Sequence, residues 1–135
     1  MVNKTSGQPG IDLAWYADRY FELLATGDHQ ALPVAPNVAF TENGQALRLG
    51  QGLWATATGA APTRGMTITD PDGSDGASGQ IATWGMASEA GQDVILGLRL
   101  KVNSGLITEL ETLVARGSDD IMSRRLYALV VSHHS

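Results

Sequence analysis

Cysteine is absent from the 135 residues, which excludes a disulfide framework, a thiol nucleophile and a cysteine–zinc centre. Basic residues are few, nine Lys and Arg against fourteen Asp and Glu, for a net charge of −5. They are also scattered, whereas a nucleic-acid surface needs them clustered, so no nucleic-acid partner is expected. No apolar run approaches the roughly 20 residues that span a bilayer, and the N-terminus lacks an apolar signal core. No membrane partner is therefore expected, and a cytoplasmic location is. No phosphate-cradling glycine loop and no metal-ligand cluster is present, so neither cofactor nor metal is expected. Aromatics are scarce as well, with three Trp, three Tyr and two Phe. What remains is 43% hydrophobic and 17% charged, enough for one folded core.

Residues 1–10 are polar and glycine-bearing and read as a lead-in. From Ile11 the period changes, and Leu13, Tyr16, Ala17, Tyr20, Leu23 and Leu24 recur at three- and four-residue steps, giving a helix with one apolar face. Gly27-Asp28 ends it. A further turn over residues 29–32 and the prolines Pro33 and Pro36 lead to an alternating strand over residues 38–42. Asn43-Gly44 turns the chain, since both residues tolerate positive φ. A short run at residues 46–49 precedes Gly50, Gly52 and a short helix starting at Leu53-Trp54. Strands are then predicted over residues 65–69, 80–88, 93–102 and 106–116. Asp70 to Gly79 is read as loop; the acids at 70, 72 and 75 lack calcium-loop spacing. The tail, residues 117–135, carries Ile121, Met122, Leu126, Leu129 and Val130 at helical steps and reads as a C-terminal helical extension.

Helices first, then a strand with a short helix, then an antiparallel meander is an α+β layout. Three pieces carry a resemblance over residues 11–116. They are RYFELLATGD from Arg19, APNVAFTENG from Ala35, and LRLKVNSGLITELETLVAR from Leu98. In that order and spacing they resemble the nuclear-transport-factor-2-like superfamily, and within it the SnoaL-like and ketosteroid-isomerase-like enzymes. The resemblance implies a cone-shaped barrel, with a curved antiparallel sheet wrapped around the first helix and a pocket inside. It also implies a homodimer pairing through the outer face of the sheet. Tyr20 matches the oxyanion-stabilising tyrosine of the ketosteroid isomerases. Their basic aspartate falls on Asn43, whose amide cannot abstract a proton, so that step passes to Glu42 or is lost. Their second oxyanion donor falls near Leu98. A histidine pair of the dehydratase kind is absent, because His29, His133 and His134 lie outside the predicted strands.

The candidate catalytic set is therefore Tyr20, Glu42 and Asn43. Tyr16, one turn before Tyr20, competes for the phenol's role. Glu42 either faces solvent at a strand end or faces the cavity, where desolvation would raise its pKa. A three-residue loop at residues 103–105 would set Arg99 against Glu109 and send Leu98, Leu100, Leu110 and Thr112 inward. Trp84 and Met86 are expected beside them, with Met66 and Ile68. On this reading Tyr16, Trp54, Met66, Trp84, Met86, Leu98 and Thr112 line a substrate site, or simply fill core. Arg99, Lys101, Glu109 and Glu111 share the other face and read as cross-strand ion pairs rather than acid/base groups. The expected function is cofactor-free isomerisation, elimination, hydration or ring closure on a small apolar, aromatic or polyketide-like molecule. A non-catalytic binding module of the same fold is the alternative.

Overall fold

The computed structural model describes residues 11–72 and 76–116. The expected N-terminal lead-in, the C-terminal helix and the side chain of Met66 lie outside the described residues. Helix α1, Leu13–Thr26, starts where the Asp12 side chain accepts the Trp15 N–H at 3.1 Å, the usual satisfaction of an orphan donor. Its buried positions are Leu13, Ala17, Tyr20, Phe21, Leu23 and Leu24, the stripe its periodicity predicts with Phe21 added and Tyr16 only half-buried. A 3₁₀ turn over His29–Ala31 leads into β1, Val34–Glu42, followed by β2, Gln45–Ala46, and the short α2, Leu53–Thr56. A meander then runs through β3, Ala57–Asp72, β4, Ser78–Glu89, β5, Gln92–Asn103, and β6, Leu106–Arg116.

All six strands form one sheet in the order β2-β1-β6-β5-β4-β3. Every pairing is antiparallel except that of β1 with β6, which is parallel. The sheet is mixed and open, with β2 and β3 as its edges; the expected barrel does not close. Helix α1 packs against β3, β4 and β5. The apolar inner face of the sheet meets it there, with Leu96, Leu98, Leu100, Leu110 and Val114 each at most 3% exposed.

Three expectations need correction. β3 runs sixteen residues, through Pro62 and on to Asp72, where only residues 65–69 read as strand. Pro62 cannot donate to a ladder, and it is tolerated because β3 is an edge. Arg99 pairs with Glu111, and Lys101 with Glu109. A two-residue turn at Ser104-Gly105 and a bulge that leaves Thr108 unpaired replace the three-residue loop. Beyond the bulge the slip is two residues, so Leu110 and Thr112 keep their inward face; before it the slip is one, and Ile107 rather than Leu106 turns inward.

The third correction concerns Trp84 and Met86, which pair with Gly97 and Ile95 and point away from α1. The inner face of β4 consists instead of Ile81, Thr83, Gly85 and Ala87. A Cβ on Gly85 would lie 2.5 Å from Phe21 Cε1. At Gly85 the helix comes so close that no side chain fits beneath it, while Ile81 is accommodated further along the strand.

Candidate functional site

Glu42 closes β1 on the same parity as Phe40, beside buried Thr112, and its side chain is only 11% exposed. It faces inward. Its Oε1 accepts the Leu53 N–H at 3.0 Å, holding one of the backbone donors that the start of α2 leaves open. Arg116 approaches its other oxygen at 4.0 Å. The chain between β2 and α2 passes over this carboxylate on Gly52, whose φ is +66°. A Cβ there would sit 2.7 Å from Glu42 Oε1, and one on Gly50 would sit 2.7 Å from His29 Nε2. Two glycines thus let the backbone lie flat against a carboxylate and an imidazole.

Trp54, one residue into α2, is 4% exposed. Its indole Nε1 donates to Tyr20 Oη at 2.9 Å, and the two rings meet edge-on with centroids 5.0 Å apart. The His29 ring touches the same indole at 6.1 Å. Tyr20 itself is 1% exposed. Burial pushes its phenol well above the usual value near 10; the donated indole N–H opposes this and the nearby Glu42 charge adds to it. The phenol is therefore a neutral hydrogen-bond donor at physiological pH. Its oxygen is taken by Trp54, while its proton has no acceptor among the described residues.

The remaining candidates divide sharply. Asn43 does not reach this group. Its backbone sits at φ +52°, its Oδ1 accepts the Val114 N–H at 2.7 Å, and its Nδ2 donates to the Val114 carbonyl at 3.1 Å. Both ends of the amide continue the β1–β6 ladder, so Asn43 fastens the sheet. Tyr16 is likewise spent, donating to the Gly105 carbonyl at 2.8 Å at the β5–β6 turn. Leu98 and Thr112 lie on the inner face, and the Thr112 hydroxyl donates to the Thr41 carbonyl at 3.0 Å. Trp84 and Met86 lie on the opposite side of the sheet from Tyr20, and the Trp84 Nε1 is buried with no partner among the described residues.

His29, Gly50 and Gly52 join the group without having been anticipated. The signal was the Gly-Gln-Gly spacing just after a strand-end carboxylate, which marks close approach of the backbone.

Two concavities formed by described residues lie elsewhere. One of about 40 Å³ sits under α1 beside Ala17, Asp18, Thr67 and Thr83; the other, about 360 Å³, opens at the far end of β3, β4 and β5. Neither includes Tyr20, Glu42 or Trp54. Among the described residues no group of three or more His, Asp and Glu could hold a metal ion, and no helix is long and apolar enough to cross a membrane.

No protein-family profile matches the sequence, and no curated protein matches it. Solved structures do. A steroid Δ-isomerase from Pseudomonas aeruginosa superposes with a TM-score of 0.53 at 17% identity, over 93% of this chain and 99% of that one. The chain has the nuclear-transport-factor-2-like fold. A candidate ketosteroid isomerase from Kribbella flavida also shares this fold, with a TM-score of 0.53 at 13% identity over 76% of this chain and 77% of that chain. A candidate polyketide cyclase from Silicibacter sp. gives 0.50 at 15% identity, over 86% and 96%. The nuclear-transport-factor-2-like fold accounts for the open curved sheet and for the placement of α1 across it. Identities this low speak for the fold alone, and chemistry must be argued from the side chains.

Proposed function

We propose that the chain is a cofactor-independent acid–base enzyme that shifts a proton on a small, largely apolar carbonyl compound. The observation that carries this is the Tyr20 hydroxyl, which is 1% exposed and keeps its proton unengaged among the described residues. Glu42 is close enough for its charge to act on that hydroxyl. In the proposed step the Glu42 carboxylate takes a proton from the carbon next to a carbonyl. The C–H electron pair becomes the new C=C bond, and the charge that develops on the carbonyl oxygen is held by the Tyr20 O–H. Glu42 then returns the proton to a different carbon. By accepting the indole N–H, Tyr20 becomes a stronger donor toward that oxygen, and in a dry interior such a bond is worth more than in water. Related folds described as steroid isomerase and polyketide cyclase support this substrate class.

Incubation with β,γ-unsaturated ketones and cyclic diketones in D₂O, read by NMR, tests the reading. Wild type should incorporate deuterium above the buffer rate. Glu42→Gln keeps an acceptor for the Leu53 N–H and should lower that rate by about 10²–10⁴, with ligand affinity retained. Ligand binding without any exchange by wild type would replace this reading with the non-catalytic one.

A homodimer through the outer face of the sheet is part of the same proposal. Ile68 and Leu113 are exposed there at 61% and 38%, beside half-buried Trp84, Met86 and Ile95. Sedimentation should show two copies for wild type and one for Leu113→Glu.

A further inference from the structure

The concavity of about 360 Å³ at the far end of β3, β4 and β5 is lined mainly by polar residues, with Pro71, Gly79 and Val102 between them. Asp70, Ser78, Gln80, Lys101 and Asn103 line it. The sheet register puts Asp70 opposite Gln80, and Gln80 opposite Lys101. These three form a straight row across adjacent strands, with a carboxylate at one end and an ammonium at the other. Two strand spacings, about 9.6 Å of backbone, separate the ends of the row.

Hydrogen-bond accounting shows what the row lacks. The Ser78 Oγ accepts the Ser104 N–H at 3.0 Å, so its proton goes to Asn103 Oδ1 at 3.3 Å. That fixes the amide of Asn103 and leaves its NH₂ with no acceptor among the described residues. Arg99 donates to Gln80 Oε1 at 2.9 Å, which fixes the second amide in the same sense and leaves the NH₂ of Gln80 open. The Lys101 ammonium has one loose ion pair, to Glu109 at 3.9 Å. Asp70 has no cation beside it among the described residues. Donors therefore gather around Lys101, Gln80 and Asn103, while the opposite end of the row offers only a carboxylate.

The wall is also rigid. Besides the Ser78 bonds, the Gly105 N–H donates to the Ala77 carbonyl at 2.9 Å, and Tyr16 holds Gly105 from below. A site held in place in this way loses little freedom when a ligand arrives.

We propose that this concavity is a binding site for a small zwitterion. The carboxylate of the ligand is taken by Lys101, Gln80 and Asn103, and its ammonium, a short carbon chain away, is taken by Asp70. The site is separate from the Tyr20–Glu42 group and stands or falls independently of the proposed enzyme activity.

The test is a titration of the ¹⁵N-labelled full chain, with 4-aminobutanoate as the zwitterion and butanoate and butylamine as its two half-charged counterparts. The expected result is saturable movement of the Gln80, Lys101 and Asn103 amide signals at millimolar 4-aminobutanoate, with both half-charged probes at least tenfold weaker. Lys101→Met and Asp70→Asn should each weaken binding at least tenfold, in spectra that otherwise show the native fold. Tyr20→Phe should leave binding unchanged. Absence of any shift, equal responses to the three probes, or binding that survives both variants would each overturn the proposal.

Discussion

The two faces of the sheet each carry a tryptophan, and the contrast between them separates packing from chemistry. Trp54 on the inner side is 4% exposed, its N–H is satisfied by Tyr20, and its ring is held between that phenol and His29. Trp84 on the outer side packs on Ala115, as does Ile95, and its N–H has no acceptor among the described residues. The inner face is jigsaw-like, filled to the point where β4 admits no side chain at Gly85. The outer face is a looser arrangement of half-buried apolar groups and a charge ladder, in which Arg99 bridges Glu111 at 2.8 Å and Glu109 at 3.0 Å. Function is best sought where polar groups have been buried at a cost, and that points inward.

Substitutions can break this contrast or sharpen it. The largest effect is expected on the inner face. Phe21→Ala removes a ring with 0% exposure and should cost about 3–5 kcal/mol in denaturant melts. Gly85→Ala, which forces a methyl against the Phe21 ring and the Ala61 carbonyl, should cost about 1–3 kcal/mol. Because the two sites share one contact, the double variant should depart from additivity.

The tryptophans themselves come next. Trp54→Phe strips the Tyr20 oxygen of its buried partner and should cost about 1–3 kcal/mol, whereas Trp84→Phe removes only an unsatisfied N–H and should fall within about 0.5 kcal/mol of wild type. Equal losses at the two positions would erase the distinction. At the seam between β1 and β6, Asn43→Asp keeps the acceptor for the Val114 N–H but turns a donor into an acceptor against the Val114 carbonyl. About 1–3 kcal/mol should be lost, which no catalytic role for the amide would require.

The smallest effect is a pH dependence at the rim. Hydrogen bonds from Arg116 and Thr56 hold the Glu89 carboxyl below its ordinary 4.5. A group whose pKa is lowered on folding contributes stability that is complete above the unfolded value. That contribution is lost as pH falls through the lower folded value. Wild type should therefore weaken on acidification below about 4.5, and Glu89→Gln should flatten that part of the stability profile.

Much of the fold was legible because its signals are local. The stripe on α1, the Asn43-Gly44 turn and the alternation of β5 each follow from neighbours in sequence. What escaped depends on partners far along the chain. Nothing near Pro62 announces that β3 lies at an edge, where a proline does no harm. No residue of β4 reveals that α1 presses on it and excludes large side chains, so Trp84 and Met86 were expected inside.

The site followed the same rule. The burial of Tyr20 could be read from the face of a helix and the place of Glu42 from the end of a strand, whereas the role expected of Tyr20 came from the resemblance. The engagement of the Asn43 amide depends on Val114, and the contact of His29 with Trp54 on a loop closure. Neither partner could be guessed from spacing.

The pairing of β1 with β6 has a consequence for how the protein is made. Strand β1, made early, has as its main neighbour β6, the last of the described strands, and the Asn43 side chain clasps Val114 at that junction. Until residues 110 and 112 have been synthesised, Phe40 and Glu42 lack their partners on that side, and β1 has only the two-residue β2 to pair with. A nascent chain of this topology must therefore keep one edge of β1 unpaired until β6 follows, and its slowest folding event should be the joining of β1 to β6.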